Sequence, residues 1–200
     1  HAAGIDPLEY RLILLATWEK PWSDTLRLVA EKSGWGQRMR EGEGLGIAIT
    51  NWPVATLRNF GSTMAIAARI TVSKAGELKV NRIDVAFDCG RIANEDAVRS
   101  QIEGGIVFGL NMTLNEEMTL KDGAMVEGNF DEYPMLRLGD NLPDIHIHLG
   151  ALSGHNRFDL IGELDQLILL QHGKQRQLAQ GGGALDCVAL VAGILMLFLL

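Results

Sequence analysis

The residues whose types and spacing are best suited to chemistry lie in one predicted helix, from Asn94 to Leu114. Gln101 precedes Gly104 and Gly105 by one turn. A glycine inside a helix costs about 1 kcal/mol relative to alanine, so the pair indicates that another group approaches the helix backbone closely. An amide both donates and accepts hydrogen bonds. We therefore interpret Gln101, Gly104 and Gly105 as a contact surface; the alternative is that Gln101 caps a neighbouring loop.

Two histidines are candidates for metal ligands. His146 and His148 alternate with isoleucines in a predicted strand, so both lie on the same face and are spaced as two metal ligands would be. No third ligand is evident, and the favoured interpretation is a solvated strand face. The two cysteines, Cys89 and Cys187, give neither a metal-binding spacing nor a disulfide framework.

Helices are predicted at the N-terminus and in the centre of the chain. Asp6 is suited to cap a first helix with Pro7 at its first position. A second helix is predicted from Ser23 or Asp24 to Ser33, where Gly34 ends it. The central helix follows the Asp88-Cys89-Gly90 turn, with Asn94 as its N-cap.

Strands are predicted between the second and the central helix and again after the central helix. The run 45–50 is predicted as a short strand that Asn51-Trp52-Pro53 interrupts, because Pro53 cannot donate to a ladder. A hairpin is predicted from segments 62–73 and 78–87, and a second hairpin around Asp122-Gly123. A last strand is predicted over 144–149.

Several motifs together resemble the molybdenum-cofactor subunit of the xanthine dehydrogenase and aldehyde oxidase family, especially isoquinoline 1-oxidoreductase beta subunits and related bacterial aldehyde dehydrogenases. The motifs are Asp88-Cys89-Gly90-Arg91 with Asn94, the run from Gln101 to Leu110, the block from Ala2 to Arg11, Phe60-Gly61-Ser62, and the block from Asn129 to Pro134.

The resemblance implies an α+β fold that is part of the C-terminal molybdenum-cofactor-binding domain, with twisted hairpins packed against helices. It predicts three regions: the partial cofactor-binding domain at 1–150, a degenerate active-site loop at 151–180, and a hydrophobic tail at 181–200 outside the family pattern. Because the chain begins at His1 and the Gly-rich cofactor loops of the family are missing, it is interpreted as a C-terminal fragment.

The resemblance also implies an activity and its components. The cofactor is molybdopterin with molybdenum, in the cytosine dinucleotide form of bacterial relatives, and Gln101, Gly104 and Gly105 contact it. The reaction inserts a water-derived oxygen into an aldehyde or N-heterocycle, with Glu163 as the base. The implied partners are the remainder of the large subunit, an iron–sulfur subunit or cytochrome that accepts electrons, and a small-molecule substrate.

The C-terminal part departs from the family pattern. Leu164 replaces a proline of the family's active-site loop, so either the loop is degenerate or the reading frame is damaged after Leu149. The alternative interpretation of Glu163 is a surface residue in an unrelated tail. A non-catalytic remnant is the competing function.

Composition and the end of the chain bear on partners and location. The net charge is −7 with no basic cluster, which argues against a nucleic-acid partner. Residues 188–200 form an uncharged run that is short for a membrane span. This hydrophobic run is the basis of one further alternative, a membrane-tethered module. The expected location is the cytoplasmic or periplasmic face of a bacterium.

Overall fold

The computed structural model describes residues 4–17, 20–54, 57–90, 92–129, 131–137, 140 and 142–150, with only the backbone described at 51–54 and 57–61. Within these residues, helices and strands mix in an α+β arrangement. The helices are α1 (Pro7–Leu14), α2 (Lys20–Ser33) and α3 (Glu95–Leu114); the strands are β1 (Glu43–Val54), β2 (Leu57–Val72), β3 (Leu78–Asp88), β4 (Leu120–Lys121), β5 (Ala124–Met125) and β6 (Asp144–Leu149).

Four strands form the main sheet in the order β1-β2-β3-β6. The first three are antiparallel, and β6 lies parallel to β3. The predicted interruption at Asn51-Trp52-Pro53 is wrong, because β1 continues through these residues to Val54. Proline is tolerated there since β1 lies at the edge of the sheet, with its ladder on one side only. The pairing shifts register between Pro53 and Val54.

One face of the sheet is covered by α1 and α2. Leu26 and Val29 of α2 pack on small strand residues such as Ala65 and Ala86. Helix α2 begins at Lys20, earlier than the predicted Ser23 or Asp24, and ends as predicted at Ser33. The short side chains of the strands let the helix lie close to the sheet.

The other face is covered by α3. Ile102 and Ile106 of this helix are fully buried against Ile66 of β2 and Val85 of β3. Burial of one such side chain contributes about 1.5–3 kcal/mol. The predicted packing of hairpins against helices is therefore confirmed for the hairpin β2–β3 and α3.

The small hairpin β4–β5 follows α3. Asp122 (φ 52°) and Gly123 (φ 83°) are both left-handed, as a two-residue type I′ turn requires, so the Asp-Gly prediction is confirmed. No helix in the described part of the chain has the length and apolar character to cross a membrane. The predicted regions 151–180 and 181–200 lie outside the described residues.

Candidate cofactor-binding surface

The N-terminus of α3 is fixed by local and long-range hydrogen bonds. The Asn94 side chain accepts a hydrogen bond from Ala97 N at 3.1 Å, which confirms the predicted N-cap. Glu95 pairs with Arg99 one turn later. Arg99 also donates to the carbonyl oxygen of Ile147 at 3.0 Å, so the first turns of α3 are tied to β6.

The outer face of α3 is open. Gln101 and Gly104 are exposed, and Gly105 is half-buried. A Cβ atom added at Gly104 would meet no atom within 4 Å. One helical turn beyond Gly104 lies Phe108, whose side chain is 55% exposed. No described part of this chain therefore needs the space left by Gly104.

The C-terminal end of α3 holds the loop that follows the β4–β5 hairpin. Asn111 is buried, and its Oδ1 accepts a hydrogen bond from Leu136 N at 2.6 Å. Its Nδ2 donates to Glu116, which in turn accepts from Tyr133 Oη at 2.9 Å. Desolvation and the hydrogen bond to Glu116 raise the pKa of Tyr133. Sequence reasoning missed Asn111, whose only signal is an amide in an otherwise apolar helix end.

A shallow cavity of about 350 Å³ lies beside this loop and is lined by Met118, Glu127, Gly128, Asn129 and Tyr133. The Glu127 carboxylate accepts a hydrogen bond from Thr119 N at 2.8 Å, which lowers the pKa of Glu127. The cavity thus adjoins the hairpin and not the glycines of α3.

The two histidines have different environments. His146 is exposed, as a solvated strand face requires. For His148 that prediction is wrong: it is half-buried, and its Nε2 lies 3.2 Å from Oδ1 of Asp84. Asp84 is 2% exposed and also accepts two hydrogen bonds of 2.7 Å from Arg82. The hydrogen bond to Asp84 raises the pKa of Arg82.

The described residues offer no metal site. Among the residues that the structure describes, no group of three or more His, Cys, Asp or Glu side chains is arranged to bind a metal ion. Cys89 is half-buried and packs on the α3 side of the core, and burial raises the pKa of its thiol. Glu163 lies outside the described residues.

Comparison with known proteins supplies the family. Residues 58–141 match the model of the molybdopterin cofactor-binding domain. The isoquinoline 1-oxidoreductase beta subunit of Brevundimonas diminuta is 34% identical over 148 residues, which are 72% of this chain and 18% of that protein. A nicotinate dehydrogenase subunit from Pseudomonas putida is 29% identical, over 73% of this chain and 13% of that protein.

A third relative is a membrane-bound aldehyde dehydrogenase of Gluconacetobacter polyoxogenes, 26% identical over 74% of this chain and 20% of that protein. Quinoline 2-oxidoreductase from Pseudomonas putida 86 is similar in structure, with 27% identity and a TM-score of 0.42 over 46% of this chain and 12% of that one. The chain thus spans a fifth or less of the length of these curated relatives. Residues 58–141 are a molybdopterin cofactor-binding domain, and the chain belongs with the molybdenum-cofactor subunits of the xanthine dehydrogenase and aldehyde oxidase family.

Proposed function

We propose that the outer face of α3 forms one wall of the molybdopterin site, with Gln101, Gly104 and Gly105 in contact with the cofactor. The observation that carries this proposal is the open space at Gly104, where even a Cβ atom would meet nothing within 4 Å. A glycine that no described residue of the chain requires still costs the helix about 1 kcal/mol. Close approach of the cofactor, or of a loop that holds it, accounts for that cost.

The residues on this surface fit an organic cofactor. The exposed Gln101 amide has two donors and an acceptor, which suit the ring nitrogens and carbonyl of a pterin. The bare backbone at Gly104 admits a flat group to van der Waals distance. Protein ligands to the metal are not required in this arrangement, since the pterin itself carries the metal in the family. We propose the cytosine dinucleotide form of the cofactor, which the resemblance to bacterial members of the family implies.

The activity we propose is hydroxylation of an aldehyde or an N-heterocycle, with oxygen taken from water and two electrons and two protons released. The molybdenum centre supplies the redox chemistry when it is bound. Gln101 orients the cofactor, and Glu163 removes a proton from the oxygen donor. A carboxylate performs this step best when partial burial brings its pKa near the working pH.

The electrons must leave the subunit. The chain has two cysteines, Cys89 and Cys187, too few for the four thiolates of an iron–sulfur cluster. We therefore propose that an iron–sulfur subunit or a cytochrome accepts the electrons. The remainder of the large subunit is proposed to supply the other cofactor-binding loops and most of the substrate pocket.

Substitution of Gln101 by alanine tests the assignment of the cofactor site. In the complete molybdenum subunit that contains this segment, Gln101→Ala should lower both the molybdenum content and the turnover rate, because an oriented hydrogen-bonding group is lost. Elemental analysis of the purified protein gives the first quantity and dye reduction gives the second.

Glu103→Ala is the matched control. Glu103 is also exposed on α3, but it lies about 200° around the helix from Gln101, on the opposite flank. The control should keep the molybdenum content and rate of the unsubstituted protein. Normal metal content and rate in Gln101→Ala would contradict the proposed contact.

A further inference from the structure

Helix α1 turns an apolar stripe outward. Tyr10, Ile13 and Leu14 lie at i, i+3 and i+4, so their side chains share one face of the helix. They are 43%, 62% and 56% exposed. A helix in an independent domain normally turns such a stripe toward the core.

The opposite face of α1 is also apolar, and it is already used. Leu8, Leu12 and Leu15 pack against the cluster formed with α2. The charged residue between them, Arg11, lies on this packed side, where burial lowers the pKa of its guanidinium. Helix α1 thus carries apolar residues on both sides, which is the pattern of a helix buried on both sides.

The stripe is held in a fixed position. The Asp6 carboxylate caps the helix by accepting hydrogen bonds from Leu8 N at 2.8 Å and Glu9 N at 3.2 Å. The same carboxylate accepts a hydrogen bond from Trp35 Nε1 at 3.1 Å, which ties the start of α1 to the turn that follows α2. The outward orientation of Ile13 is therefore set by the fold and not by a loose terminal helix.

We propose that the stripe of Tyr10, Ile13 and Leu14 is an internal interface that the remainder of the molybdenum subunit covers. This inference rests on the proposed function, which places the chain in a larger subunit. More than four-fifths of the isoquinoline 1-oxidoreductase beta subunit lies outside the part that this chain matches, so ample polypeptide is available to cover α1.

The size of the stripe favours this occupant over a separate protein. Three side chains that are about half exposed offer on the order of 300 Å², whereas a stable association of separate proteins buries about 800 Å² on each partner. A segment of the same subunit packs on a small stripe without the entropy cost of association. A second copy of the chain or an electron-transfer partner would need a much larger surface.

Cysteine labelling tests the inference. Ile13→Cys is made in a background in which Cys89 and Cys187 are replaced by alanine, and its rate of reaction with a maleimide is measured in the 200-residue chain and in the complete molybdenum subunit. We expect labelling to be at least about tenfold slower in the complete subunit, because a covered site reacts only when the interface opens. Arg27→Cys, at an exposed position of α2, should react at similar rates in both proteins.

Three results would overturn the proposal. Labelling of Ile13→Cys that is as fast as that of Arg27→Cys in both proteins would show that nothing covers the stripe. Protection that appears in the 200-residue chain and increases with concentration would assign the stripe to a second copy. Protection that appears only when an iron–sulfur or cytochrome partner is added would assign it to that partner.

A second position and a separate readout keep the test clear. Tyr10→Cys reports on the same stripe if Ile13→Cys does not fold. Labelling measures burial without reference to molybdenum, so a failed interface and a failed cofactor assignment are distinguished by measuring metal content in the same preparations.

Discussion

Substitution of Gly104 by alanine should have opposite effects on the stability of α3 and on binding of the cofactor. Gly104 lies in the interior of α3, and an added Cβ would meet no atom within 4 Å. The change should therefore raise the free energy of unfolding of the 200-residue chain by about 0.5–1 kcal/mol, through helix propensity alone. For a domain of this size that corresponds to a rise of about 2–4 °C in Tm.

The same substitution should impair the complete molybdenum subunit. If the cofactor or its loop lies against the bare backbone at Gly104, an added methyl group displaces it, and the molybdenum content and turnover should fall even as stability rises. Thermal unfolding followed by circular dichroism and elemental analysis measure the two effects. A complete subunit with Gly104→Ala that retains full molybdenum would refute the close-approach argument, and a loss of stability in the chain would show that the open space is misassigned.

Gly105→Leu places a larger side chain at a half-buried position of the same helix. It should abolish cofactor binding, because the side chain blocks close approach to the helix backbone. Asp84→Asn should lower the free energy of unfolding of the chain by about 2–3 kcal/mol in urea titrations, less than the loss of a fully buried ion pair, because Arg82 is 37% exposed. The control Asp144→Asn, at an exposed position, should change it by less than about 0.5 kcal/mol. Equal effects of the two substitutions would contradict the stabilising role of the Arg82–Asp84 pair. Glu163→Gln should reduce turnover by about 100-fold or more in the complete subunit at unchanged molybdenum content, as expected for loss of a general base, and an unchanged rate would exclude that role.

Local sequence signals account for most of the elements. Asp6 with Pro7, Asn94 and Asp122-Gly123 each carry a short-range preference that the backbone follows. The error at Pro53 has a different origin, because whether a proline is tolerated in a strand depends on which side of the strand is paired. That information lies in the order of the strands, which no local pattern contains.

The positions of the proposed site residues in the fold were predictable to a similar extent. The placement of Gln101 and Gly104 on the outer face of α3 follows from helical periodicity, since Ile102 and Ile106 define the buried side. The burial of His148 was not predictable, because the alternation of Asp144–Leu149 does not reveal that β6 lies parallel to β3 and brings His148 to Asp84. The buried hydrogen bond of Asn111 was not predictable either, because its partner, Leu136 N, is 25 residues away in the sequence.

Two side-chain contacts hold strand β6 in place, and one of them comes from the helix that carries the proposed cofactor surface. On the side of α3, Arg99 donates to the carbonyl oxygen of Ile147. On the side of α2, His148 contacts the buried Asp84. Arg99 thus contacts the backbone of β6, and Asp84 contacts the side chain of the next residue along the strand. The end of β6 is therefore held in a fixed position relative to α3, which carries Gln101, and the base proposed at Glu163 belongs to the segment that follows this fixed strand in the sequence.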